Sequence, residues 1–169
     1  MFRKKVLLNA ALLTFVALTC MSGRSIGQTS AESHTEFVKG HISSESLTGP
    51  ECTSPVGLCT VGRFSGGIQG RFVFTATALT PTPDTPQTGV MHYIGDIVIH
   101  TKQGDIIIKD SGAFNTLPGG TGDVGSVSTI TSGTGRWARA SGHIHIAGTF
   151  TPADGGDSDF EGEISILKK

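Results

Sequence analysis

The chain has 169 residues, 24 of them glycine, with 16% charged and 37% hydrophobic residues and a mean hydropathy of +0.04. Glycine at that density breaks helices, the apolar fraction is too high and the charge too sparse for a disordered chain, and the hydropathy excludes a polytopic helical membrane protein. A single all-β domain remains, and its formal net charge of −1 becomes more negative once the first segment is set aside.

Arg3, Lys4 and Lys5 precede an apolar run from Val6 to Cys20, which is shorter than the ~20 residues that span a bilayer. This order reads as a secretory signal peptide over residues 1–27, with Ser25 and Gly27 as the small residues before a cut; a cut after Ser22 is the alternative. An uncleaved membrane anchor has the same basic-then-apolar order. Cleavage after Gly27 removes Arg3, Lys4, Lys5 and Arg24, leaving nine basic against fourteen acidic residues, a net charge of −5. Such a surface repels phosphate, so no nucleic-acid partner is expected, nor a membrane partner once the leader is gone. Residues 28–34 read as a flexible segment before a domain over 35–169. With Cys20 in the leader, Cys52 and Cys59 remain as an even pair in an oxidising compartment, secreted or periplasmic, and are expected to form a disulfide.

Strands are predicted over 35–44, 60–79, 90–100, 105–109, 126–131, 138–151 and 160–167, where β-branched and aromatic residues recur between Gly, Pro and Asp clusters. Turns at Lys102-Gln103-Gly104-Asp105 and Ala153-Asp154-Gly155-Gly156 predict antiparallel hairpins. Gly62, Gly66, Gly67 and Gly70 lie in or beside the long second strand, where glycine marks a bulge or the coil of a closing sheet. A closed antiparallel barrel of about eight strands follows. Thr80 to Pro86 and Gly119 to Gly125 are predicted as loops near its mouths. Alternation puts Phe72, Phe74 and Ala76 on one face against Arg71, Val73 and Thr75. It likewise puts Tyr93, Gly95, Ile97 and Ile99 against Asp96, Val98 and His100, and Ile144, Ile146 and Phe150 against His143 and His145. Apolar residues on both faces make a homo-oligomer plausible.

The run GTGRWARASG (Gly133 to Gly142), the Gly-x-Ile-x-Ile-x-Gly strand that follows it, and Phe160 to Ile164 near the end resemble the GTG turn and flanking strands of dirigent proteins. Gly133, Thr134, Gly135, Ala140 and Gly142 match, and Trp137 takes the aromatic position. With the long GRFSGGIQGRFVF strand, the order resembles the wider allene oxide cyclase barrel-like superfamily over about Thr35 to Leu167. The resemblance implies a closed barrel, often trimeric, whose lumen binds an apolar or phenolic small molecule and in some members steers its cyclisation or coupling. Ala138 and Ser141 stand where dirigent turns usually have Arg, and no counterpart of the pocket carboxylates can be placed, so the family's chemistry is not carried over.

The candidate ligand-facing residues are Arg71, Phe72, Phe74, Tyr93, Asp96 and Trp137. Tyr93 and Trp137 offer aromatic area for stacking, core packing being the other role of a sole Trp. Asp96, Asp110, Glu36 and Arg71 are the groups able to move a proton in a lumen, although charged residues on alternating strands are more often a solvated face. His143 and His145 form a metal-chelating alternative with His92 or His100. Cupins, which use a similar His-x-His pair, add a Glu a few residues on, where this chain has Thr149 and Phe150, so neither a metal nor another cofactor is expected. No Gly-x-Ser-x-Gly or SxxK element is present, and Ser43-Ser44-Glu45-Ser46 lacks the context that activates a serine. The leading expectation is therefore ligand binding in the lumen; the alternatives are a cofactor-free cyclase or isomerase that folds its substrate, and a structural or surface-interaction barrel with a filled core.

Overall fold

A computed structural model describes residues 33–82, 89–115 and 122–167. The leader, most of the segment 28–34, residues 83–86 of the first expected loop and residues 119–121 of the second lie outside the described residues. Eight strands follow in chain order: β1 (Ser33–Leu47), β2 (Cys59–Gly66), β3 (Gly70–Pro81), β4 (Val90–Thr101), β5 (Gly104–Asn115), β6 (Asp123–Gly133), β7 (Ser141–Thr151) and β8 (Gly155–Leu167). Each pairs antiparallel with the next, and β8 returns to β1 from Ser33↔Leu167 to Ser44↔Gly156, so the sheet is a closed barrel. Closure leaves no free strand edge.

The expected second strand, 60–79, is two strands. Gly66 adopts φ +105°, a conformation that side-chain-bearing residues disfavour, and the chain reverses through Gly67 to Gly70. Ile68 in this turn is buried, so what reads as one long strand is a hairpin whose tip packs into the barrel end. The strand expected from residue 138 begins only at Ser141, because Gly135–Trp137 forms a 3-10 turn with Trp137 buried. Asp123 to Gly125, expected in a loop, belong to β6 and pair with β7. The turns before Asp105 and Gly156 are the β4–β5 and β7–β8 hairpins, with Gly104 and Gly155 at positive φ.

Two layers fill the interior. Near the Gly66, Thr101, Gly133 and Leu167 end, Ile99, Ile106, Ile108, Ile130, Ile144 and Ile164 are buried, and Ile68 and Trp137 are buried at that end. The other half is aromatic. Phe64 meets Phe72 edge-on at 5.2 Å and Phe160 at 5.2 Å, while Phe74, Tyr93, Phe114 and Phe150 continue a chain of contacts at 5.3–6.0 Å. Such pairs add about 0.5–1.5 kcal/mol each beyond area burial. Inward glycines make room for the rings: a Cβ at Gly62 would meet the Phe72 ring, one at Gly40 the Phe160 ring, and one at Gly95 the Phe74 ring.

Cys52 and Cys59 form the expected disulfide, with Cα atoms 5.6 Å apart. Ser54 Oγ accepts from the Val56 and Leu58 amides and donates to the Ala76 carbonyl at 2.6 Å, pinning the bridged loop to β3 and setting Leu58 into the aromatic half. A disulfide of this kind belongs to an oxidising, extracellular-type environment. With a sequence separation of 7, chain entropy predicts that Cys52→Ser costs about 2–3 kcal/mol without abolishing folding. Chemical denaturation of both proteins measures this loss; equal midpoints together with two titratable thiols would remove the bridge from the account.

Candidate functional site

The aromatic half holds a cavity of about 80 Å³ walled by Phe64, Phe72, Phe74, Tyr93, Phe114 and Phe150. Its volume admits a few waters and lies below the roughly 300–1,000 Å³ of sites that enclose drug-sized ligands. Strand parity puts one carboxylate among these rings. On β5, Ile106, Ile108, Asp110, Gly112 and Phe114 share the inward face, and Asp110 is 3% exposed. Its cross-strand partners are Gly95 on β4 and Ser128 on β6, and Ser128, 0% exposed, donates its hydroxyl to Asp110 Oδ1 at 2.6 Å. One step along, Gly112 lies between Tyr93 and Ser126, with space for the Tyr93 hydroxyl where a Cβ would sit. Ser126 Oγ is buried beside the pair without a partner at full hydrogen-bond geometry, although it is near enough to both groups to stabilise their charged forms.

Burial dominates the electrostatics of this cluster. It pushes the Asp110 carboxyl above the usual carboxylate range, an effect partly reversed by the hydrogen bond from Ser128 and by the nearby Ser126 and Tyr93 hydroxyls and Ser111 amide. Burial, reinforced by the neighbouring Asp110 charge, likewise raises the Tyr93 hydroxyl well above its ordinary value. Both groups are thus biased toward their protonated, neutral forms. A neutral carboxylic acid at an apolar wall can donate a hydrogen bond or a proton to one polar atom of a bound molecule.

The expected site residues divide sharply. Phe72, Phe74 and Tyr93 line the cavity, and Asp110, singled out as a proton-moving candidate, is at its polar point. Arg71 and Asp96 do not face it, because each has the opposite parity to its inward neighbours Phe72 and Ile97. Arg71 is exposed on the outer wall, and Asp96 there pairs with Lys109. Trp137 is buried at the isoleucine end, its Nε1 donating to Thr101 Oγ1 at 3.0 Å and the Arg136 guanidinium 5.1 Å above its ring; the 3-10 turn carries it across the barrel end, away from the cavity lining. Glu36 is on the outside, paired with Arg136 at 2.9 Å.

His143 and His145 project outward on β7 with ring centroids 5.6 Å apart. His100 pairs with Asp105 at 2.9 Å, and His92 lies on β4, separated from β7 by two strands. Among the described residues no three His, Cys, Asp or Glu side chains converge as a metal site. Ser126 and Ser128 were absent from the expected set. Their signal is the inward parity they share with Val124 and Ile130 on β6, which becomes meaningful only once β5 and β6 are known to be neighbours.

Fold and cavity together define a closed, eight-stranded antiparallel barrel whose interior is half aromatic and which, among the described residues, buries one acid. No family model, curated protein or solved structure matches the chain.

Proposed function

We propose that the protein is exported and that the barrel binds a small apolar or phenolic molecule in its aromatic half, as its resemblance to allene oxide cyclase and dirigent proteins implies. The observation that carries this reading is the buried carboxyl of Asp110, held by Ser128 beside Tyr93, in a mainly apolar cavity walled by five phenylalanines and Tyr93, with the hydroxyls of Ser44, Thr60, Thr149 and Ser158 also in its lining. Edge-to-face rings receive another ring at little conformational cost, and the buried Asp110 carboxyl orients it. At about 80 Å³ the ligand is a single ring, with any longer substituent passing toward the barrel end. Association of copies through the outer wall fits the same reading. Ile94 (53% exposed) and Val127 (50%) flank Ser111 in one cross-strand row, an apolar surface that a further copy would cover.

Titration with phenol, followed by side-chain NMR, tests the site. Saturable shifts are expected at Tyr93 and Phe114, with the Trp137 indole unmoved, and Asp110→Asn is expected to weaken binding about tenfold, the worth of one buried hydrogen bond. Absence of saturation, or movement confined to Trp137, sinks the proposal.

The raised Asp110 carboxyl favours a second reading, a cofactor-free cyclase or isomerase in which the neutral acid protonates a ligand held in a folded conformation. Its protonation state is measurable by linkage. The folded protein keeps the Asp110 proton to higher pH than the unfolded chain, so folding takes up a proton above the ordinary value of 3.8. Stability contributed by the protonated acid is complete below that value and declines as pH rises toward the folded-state value. Melting curves across this window should therefore show wild type losing ground to Asp110→Asn as pH increases. A difference independent of pH means the carboxyl titrates normally and is no proton donor.

A further inference from the structure

The hairpin joining β2 and β3 contains a repeated triplet, Gly62-Arg63-Phe64 and Gly70-Arg71-Phe72. Its register pairs Gly62 with Phe72, Arg63 with Arg71 and Phe64 with Gly70. The inward half of this exchange is explained by packing, since each Phe lies opposite the glycine of the other triplet and both rings join the aromatic core. The outward half is not. Two exposed arginines stand directly opposite each other, at the ~5 Å Cβ spacing of cross-strand pairs, where like charges destabilise a sheet.

Neither guanidinium forms an ion pair with a described carboxylate, whereas Lys109 is matched by Asp96 and Arg136 by Glu36. The next residue in the same row, His100, is occupied by Asp105. Arg63 and Arg71 border a surface groove of about 590 Å³ whose other lining includes Lys102, Gln103, Arg136 and Glu36, the last of these neutralised by Arg136. Asp157 of β8, with Glu45 and Asp154, lines a second groove that Arg63 and Arg71 also border, but together with Asp159 it holds the ring nitrogens of His41 at 3.2 Å. Arg63 and Arg71 thus face each other with no carboxylate of the described residues within ion-pair distance of either.

We infer that Arg63 and Arg71 form a clamp for a tetrahedral dianion, a phosphate or sulfate group, on the outer wall of the barrel. Guanidinium forks match the oxygens of such a group bidentately, and a double negative charge converts the repulsion between the two strands into a bridge. The site is separate from the aromatic cavity and does not depend on the reading given for it.

Melting of the mature protein in increasing inorganic phosphate, and separately in inorganic sulfate, tests the clamp against sodium chloride at matched ionic strength. A ligand that binds only the folded state raises the melting temperature along a saturating curve. Such a curve in both salts shows recognition of the dianion itself; a curve in one alone assigns the group as phosphate or sulfate. Arg63→Gln and Arg71→Gln are each expected to weaken the apparent affinity at least tenfold. Without added dianion they should melt no lower than wild type, because a like-charge pair is lost. Lys109→Gln, on another part of the wall, should leave the curves unchanged. Melting that follows ionic strength alone, or a saturating response that survives in the Arg63→Gln/Arg71→Gln double variant, overturns the inference.

Discussion

Phe64→Ala is expected to destabilise the barrel by about 3–5 kcal/mol, the range for deleting a fully enclosed aromatic side chain. Phe64 is buried, touches Phe72 and Phe160 at 5.2 Å each, and walls the cavity. Collapse around the void is resisted because the strands on either side are held in a closed hydrogen-bonded ring. The substitution should also enlarge the binding space, so the variant is expected to take up 1-naphthol, a two-ring phenol, at concentrations where wild type binds only phenol. Denaturant unfolding gives the first quantity and fluorescence titration the second. A stability loss below ~1 kcal/mol with unaltered ligand size would mean that Phe64 neither supports nor bounds the cavity.

Gly95→Val is the second large effect, at the upper end of the 1–3 kcal/mol typical of overpacking. Gly95 is inward on β4, opposite Ala76 on one side and Asp110 on the other. A Cβ there would run into the Phe74 ring and approach the Thr75 carbonyl oxygen to 2.7 Å. Valine must displace Phe74 from its edge-on contact with Tyr93, so phenol binding should fall together with stability. Gly125→Ala supplies the contrast. The nearest atom to its added Cβ is the Ile146 carbonyl oxygen at 4.0 Å, and a change within about 0.5 kcal/mol is expected, as for surface substitutions generally. Equal losses at both positions would show that glycine's backbone, rather than the space it leaves for a ring, is what the barrel requires.

How much of the site was readable varies by residue. Parity within a single strand is a local property, so the inward direction of Phe72, Phe74 and Tyr93 follows from period two alone. The same rule separates Asp110, in step with Ile106 and Ile108, from Asp96, out of step with Ile97. Residue type makes both of them proton-moving candidates, and only parity distinguishes the inward one. Trp137 followed no such rule, because a 3-10 turn interrupts the strand pattern and period two does not apply there.

The amino-acid sequence by itself determined the all-β class, the hairpin turns at Gly104 and Gly155, the Cys52–Cys59 pair and the inward faces of most strands, since each depends on neighbours a few residues apart. Tertiary structure alone decided that residues 60–79 are two strands and that β8 closes on β1. It also decided that Ser128 meets Asp110, and that the two Gly-Arg-Phe triplets set arginine against arginine. The physical reason is register. Alternation says which face a side chain takes, but which residue stands opposite depends on strand pairing across the sheet, and a one-residue slip exchanges every partner.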